Sequence, residues 1–227
     1  MDLAVIGGTG AEGFGVALRL AAASHHVIIG SRDGARGADA ARRAADTLGG
    51  DAHVEGSDNA AAAAAVDVVL VTVPFAGQAE IYRSIKGAVR PGSVVLDATS
   101  PLATAVGGRA WQVVRPWHGS AAEQARAILG DGPRVVSGLH TIAARALQDL
   151  ANPIESDVLV CGDDAEAKGI VGSLIQDIPA LRWVDCGDLS AARIIETMTA
   201  LLVGVNRRYG LKDSGLRILG RDAWGPP

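Results

Sequence analysis

The residues Gly7-Gly8-Thr9-Gly10-Ala11-Glu12-Gly13 carry the most specific chemistry in this chain. Gly8, Gly10 and Gly13 make a G-x-G-x-x-G that follows an apolar run and opens a helical pattern. Such a turn suits the pyrophosphate of a dinucleotide. Gly8 lets the backbone turn sharply, Gly10 lets a phosphate approach the main chain, and Gly13 lets the helix pack close to the strand. The helix start adds free N–H groups and a positive dipole end. About twenty residues further on, an NAD site places Asp or Glu to hold the ribose hydroxyls. This chain has Gly30-Ser31-Arg32 instead, with Arg36 four residues after Arg32. A carboxylate repels a 2′-phosphate, whereas a guanidinium fork and a hydroxyl bind one. Arg36 reaches the same site if a helix begins there, and Thr9 supplies a hydroxyl across the turn. The expected dinucleotide is therefore NADP(H), not NAD(H).

Three further segments belong at the carboxyl ends of strands, where ligands sit in an open parallel sheet. They are Thr72-Val73-Pro74, Asp97-Ala98-Thr99-Ser100-Pro101 and Gly138-Leu139-His140-Thr141. Pro74 fixes its φ and stiffens the loop facing the cofactor. His140 is the histidine expected near the reaction, and Asp97 serves as a turn cap. Asp163-Asp164-Ala165-Glu166 reads as an acidic helix start that complements the dipole, not as a metal site. There is no Tyr-x-x-x-Lys pair, no zinc-ligand spacing and no G-x-S-x-G. A nicotinamide site without strong proton-transfer machinery favours an acceptor that needs only a hydride, such as a flavin-like ring.

Strands that could hold these loops are expected at 3–6, 26–30, 53–55, 67–73, 93–97, 134–137, 157–161 and 182–185. Several are continuously apolar, as a parallel strand covered on both faces must be. Ala-rich helical segments lie between them, and Ser120-Ala121-Ala122-Glu123 reads as a capping box. The expected fold is a Rossmann-like, doubly wound, mostly parallel α/β sheet with a small C-terminal, largely helical part. Residues 1–150 form the NADP-binding unit, and 151–227 a smaller unit packed on it. Ile194, Ile195, Met198, Leu201, Leu202 and Val205 form an apolar stripe on a helix from about 190 to 208, stopped by Gly210. The stripe is to be buried against the main body or a second subunit. The polar tail after Arg221 is expected to fray.

The 227 residues carry Lys+Arg 21 against Asp+Glu 25, a net charge of −4 that disfavours a general nucleic-acid binder. No uninterrupted apolar run approaches a membrane span, and the first residues do not read as a signal peptide. Cys161 and Cys186 read as buried thiols of a cytoplasmic protein.

The chain resembles the NADPH-dependent reductases of the deazaflavin coenzyme F420. The resemblance runs through most of the chain. It rests on the glycine turn with Leu18-Arg19-Leu20, on Gly30-Ser31-Arg32, on Thr72-Val73-Pro74 and on Leu139-His140-Thr141. More particular to that family are Cys161-Gly162-Asp163-Asp164 and Asn206-Arg207-Arg208-Tyr209-Gly210. The resemblance implies reversible hydride transfer between nicotinamide C4 and deazaflavin C5, and a cytoplasmic homodimer. It implies that Thr9, Ser31, Arg32 and Arg36 hold the 2′-phosphate. It places Pro101, Leu102, Leu139, His140 and Thr199 at the deazaflavin. Backbone N–H groups near Pro101 and Leu102, with His140 or Thr199, are to stabilise charge arriving on the pyrimidine ring. Family members often carry Thr-Pro where this chain has Thr199-Ala200, so this helix need not bend there. Trp111 and Pro116-Trp117-His118 also depart from the family. Two other readings are an NADPH-dependent reductase of a small imine or keto acid, and a non-catalytic NADP(H) sensor.

Overall fold

The computed structural model describes residues 1–50 and 52–220, so the tail from Arg221 lies outside the described residues. The strands are β1 (Asp2–Ile6), β2 (His26–Ser31), β3 (Val54–Asp58), β4 (Val68–Val71), β5 (Val94–Asp97), β6 (Arg134–Ser137), β7 (Ser156–Gly162) and β8 (Leu181–Asp185). The helices are α1 (Ala11–Ala22), α2 (Gly34–Leu48), α3 (Asn59–Ala65), α4 (Phe75–Ile85), α5 (Ala121–Leu129), α6 (Ala144–Gln148), α7 (Ala165–Gln176), α8 (Ala192–Ile195) and α9 (Met198–Tyr209).

The strands form one sheet in the order β3-β2-β1-β4-β5-β6-β7-β8. Side chains alternate across a strand, so an apolar strand feeds two cores at once. Leu3, Val5, Val27, Ile29 and Leu70 face α1, α2 and α7, whereas Ala4, Ile6, Ile28, Val69 and Val71 face α3, α4 and α5. That double burial explains the unbroken Val68-Val69-Leu70-Val71 run.

The order reverses between β1 and β4, which makes the gap beyond their carboxyl ends the ligand crevice. One strand boundary is corrected in the sheet, and the mostly parallel order expected of it has one exception. β3 lies at Val54–Asp58, shifted from 53–55, because Asp58 is recruited to cap α3 through Ala60 and Ala61. β7 runs antiparallel to β6, whereas every other strand pairing is parallel. The short α6 covers no full crossover, so the chain returns from the same end of the sheet. Arg19 of α1 secures this return. Its guanidinium donates to the backbone carbonyls of Leu147, Ala146, Asp149 and Asn152.

The expected helix from 190 to 208 is present in two pieces. The chain turns at Glu196 and Thr197, upstream of Ala200. Gly210 ends α9 with a φ of 69°. Leu189–Tyr209 is long and apolar enough to cross a membrane by length and composition. It is tied to the body instead. Arg193 pairs with Glu123, and buried Glu196 accepts the N–H groups of Ala121 and Ala122 at 2.8 and 2.9 Å. The capping box at Ser120 is therefore half formed. Ser120 caps the N–H of Glu123, but the Glu123 carboxylate goes to Arg193.

Candidate functional site

The glycine turn sits where β1 meets α1. Gly7 carries the positive φ of 80°, so the sharp turn expected at Gly8 is made one residue earlier. Gly8 serves close packing, since a Cβ there would lie 2.8 Å from the Val5 carbonyl. At Gly13 a Cβ would lie 2.3 Å from Thr72 Oγ1 and 2.8 Å from the Gly7 carbonyl. Gly13 thus holds the helix against the turn and against the end of β4, not merely against β1.

The starts of α1 and α4, both at the crevice, carry no side-chain cap. Asp33, Asp58, Ser120 and Asp164 each cap their helix with a side-chain oxygen. Gly10, the cap residue of α1, has no side chain to do so. Its first turn presents backbone donors and a positive dipole to the crevice. A pyrophosphate fits that requirement.

Beside it opens a cavity of about 410 Å³ lined by Thr9, Gly10, Ser31, Arg32, Arg36 and Thr72, among others. Ser31 ends β2 and is buried, and α2 begins three residues later. Arg32 therefore precedes the helix and Arg36 lies in its first turn. Asp33 caps α2 through the Ala35 N–H at 2.9 Å. Neither Arg32 nor Arg36 makes an ion pair among the described residues. Asn59 Oδ1 in the same cavity wall is buried without a partner. Two uncommitted guanidiniums, two hydroxyls and an unsatisfied amide oxygen fit the phosphorylated adenosine half of NADP(H).

A second cavity, about 340 Å³, shares Gly10, Thr72, Val73 and Pro74 with the first and continues to Ala98, Ser100, Leu102, His140 and Thr199. His140 is buried in its wall. Thr199 Oγ1 donates to the His140 carbonyl at 2.7 Å, which leaves its oxygen to accept from Ser100 Oγ at 2.5 Å. Ser100 Oγ lies 3.4 Å from His140 Nδ1, and Ser137 Oγ 2.8 Å from Nε2. Burial pushes His140 down to about 4, against a backbone hydrogen bond with Ala98. The imidazole is neutral at pH 7 and works as a hydrogen-bonding link, not as a cation.

Asp97, expected as a turn cap, accepts the Thr99 N–H at 2.7 Å and also Tyr82 Oη at 2.6 Å and Gln78 Nε2 at 2.7 Å. The backbone donation expected near Pro101 and Leu102 is not available. Pro101 has no N–H, and Leu102 N–H is spent on the Ser100 carbonyl at 2.8 Å. Leu102 still borders the second cavity, while Pro101 borders a neighbouring one of about 530 Å³. Leu139 turns away from the crevice. Its φ of 70° sends the side chain into the core.

Asp163 and Asp164 are committed locally. Asp163 accepts the Leu189 N–H and pairs with Arg126, and Asp164 caps α7. Among the described residues no group of three or more His, Cys, Asp or Glu is arranged to hold a metal ion. Glu12 is the site residue that the sequence reading passed over. Its signal was its place inside the glycine motif.

A family model described as NADP oxidoreductase, coenzyme F420-dependent, matches residues 2–101. The F420-dependent NADP reductase of Methanothermobacter thermautotrophicus is 42% identical over 96% of this chain and 94% of its own. That of Methanocaldococcus jannaschii is 39% identical over 96% and 98%. The chain belongs to the F420-dependent NADP reductase family. A crystal structure from Arthrobacter, provisionally described as a member, superposes with a TM-score of 0.82 at 25% identity, covering 97% of this chain and all of that one.

Proposed function

We propose that this chain transfers a hydride reversibly between NADP(H) and the 8-hydroxy-5-deazaflavin F420. The observation that carries the NADP half is the unpaired Arg32–Arg36 pair beside an uncapped helix start. Gly8, Thr9, Gly10, Gly13, Ser31, Arg32, Arg36, Thr72 and Pro74 form the NADP site. The dihydronicotinamide supplies the hydride and the deazaflavin ring accepts it.

The chain's own residues position and exclude water. Thr72–Pro74 and Gly10 form a rigid saddle between the two cavities. His140, Ser100 and Thr199 hold one another through hydroxyl hydrogen bonds. They leave polar atoms against the ring edge where negative charge arrives. Hydride transfer requires the two rings about 3–3.5 Å apart, and these walls are the residues that would hold them there. Pro101, Leu102 and Leu139 shape and support the deazaflavin side, and Leu139 does so from the core.

We read 1–150 as the nucleotide-binding unit and 151–227 as the part that completes the second pocket. The assembly is a cytoplasmic homodimer. The homodimer draws support from the two residues of the stripe that stay exposed, Ile194 at 63% and Leu201 at 59%, while Ile195 is buried against the body. Sedimentation of wild type and Leu201→Arg tests the dimer. The activity test mixes protein, NADPH and oxidised deazaflavin and follows loss of the deazaflavin visible band. Small imines and keto acids run in parallel, and turnover of those alone would overturn the reading.

A further inference from the structure

Glu12 is the second residue of α1 and lines the cavity of Thr72, Pro74, Ser100, His140 and Thr199. It is half-buried. Its carboxyl group has no hydrogen-bond or ion-pair partner among the described residues, whereas Glu123 and Glu166, in the first turns of α5 and α7, are paired with Arg193 and Arg134. No Lys or Arg lines this cavity. The titratable groups that face Glu12 are Asp97, from the end of β5, and His140, from the loop after β6. α9 contributes the neutral Thr199, and the Arg19 guanidinium on α1 is consumed by carbonyls. A lone carboxyl group thus borders the cavity that, on the reading above, receives the nicotinamide ring.

The geometry points to Glu12 as the residue that sets how much more tightly this chain holds the oxidised than the reduced nicotinamide. The oxidised ring is a cation and the dihydro ring is neutral. An ionised carboxylate beside the ring attracts the first and gains nothing from the second. Burial, with Asp97 nearby, pushes Glu12 up to about 8 in the free protein, so its charge changes in the working range. Linkage fixes the sign. The cationic ring lowers the carboxyl's pKa, so NADP+ binding releases a proton near neutral pH. The apolar dihydro ring does not. Raising the pH therefore shifts preference toward NADP+.

Calorimetry of NADP+ and NADPH binding between about pH 6 and about pH 9, in buffers of different ionisation enthalpy, tests this inference. In the wild type the NADP+/NADPH affinity ratio rises on the order of tenfold across that range, one pKa unit between the two complexes. NADP+ binding releases protons. In Glu12→Gln the ratio is flat and NADP+ releases no more protons than NADPH does, the release common to both coming from the 2′-phosphate. A ratio in Glu12→Gln that rises as in the wild type assigns the effect to another group, Asp97 first, and overturns the proposal. Glu12→Trp separates this failure from a failure of the nicotinamide placement. If the ring occupies this cavity, Glu12→Trp weakens NADPH but not adenosine 2′,5′-bisphosphate, which also reports that the variant folds. Glu12→Trp binding NADPH as the wild type does removes the ring from the cavity, and the proposal with it.

Discussion

The two ends of the crevice are built differently. The end proposed for the adenosine takes its hydroxyls and cations from two short turns, Thr9 from one and Ser31, Arg32 and Arg36 from the other, and its arginines form no ion pair although Asp33 and Glu80 line the same cavity. The end proposed for the nicotinamide is assembled from five separate segments, reaching from Gly10 to Thr199; there His140 is buried and bonded with Ser100 and Thr199, whereas Glu12 is half-buried and unpaired. An exposed cationic end discriminates through charge and is sensitive to single side chains. A buried end discriminates through shape and through the titration of whatever it encloses.

The largest effect is expected at the exposed end. Arg32→Ala should lose roughly 1.5–3 kcal/mol of NADPH affinity, the scale of a charged hydrogen bond, while NADH affinity stays unchanged. Titration calorimetry with both dinucleotides decides this, and equal losses would break the assignment of the 2′-phosphate. Gly13→Ala acts on the shared saddle. Its methyl group meets Thr72 Oγ1 and the Gly7 carbonyl, so a stability loss of about 2 kcal/mol is expected in urea unfolding. An unchanged midpoint would show that the turn yields freely.

At the buried end, His140→Ala should lower kcat with the deazaflavin about tenfold and leave NADPH binding intact, as expected of a hydrogen-bonding wall residue. Because His140 titrates near 4, its protonation should leave no mark on the pH–rate profile between about 5 and 8. An unchanged kcat removes His140 from the reaction, and a limb near pH 6.5 would show that burial does not hold it neutral. The smallest effect is on stability at Glu12. A carboxyl group whose folded pKa is raised stabilises the fold below its unfolded value of 4.5, and that contribution is lost as pH rises toward about 8. Glu12→Gln should therefore lie close to the wild type at about pH 5 and exceed it by a margin that grows as pH rises toward about 9. Thermal unfolding at both pH values measures the difference.

The same contrast explains what could be read in advance. Eight strands were legible because strands buried on both faces show as apolar runs, and the turns that carry Thr9, Ser31, Arg32 and Arg36 were legible because each is a short continuous segment. The antiparallel β7 was not, since its direction depends on the short α6 and on Arg19 gripping distant carbonyls. Nor were the break at Glu196 and Thr197, the loss of the Leu102 donor to Ser100, or the inward turn of Leu139. Glu196 is fixed by Ala121 and Ala122 far away in sequence, Leu102 by a tight local turn onto Ser100, and Leu139 by one backbone angle.

The sequence by itself determined the sheet, the phosphate-binding turn and the preference for a phosphorylated adenosine, because these follow from local periodicity, missing Cβ atoms and local charge. The tertiary structure alone decided the rest. It made His140 a neutral link by burying it, left Glu12 without a counter-ion by enclosing it among neutral groups and Asp97, and spent or freed each donor around the second ring. Burial and pairing are properties of the folded chain, so no local pattern announces them.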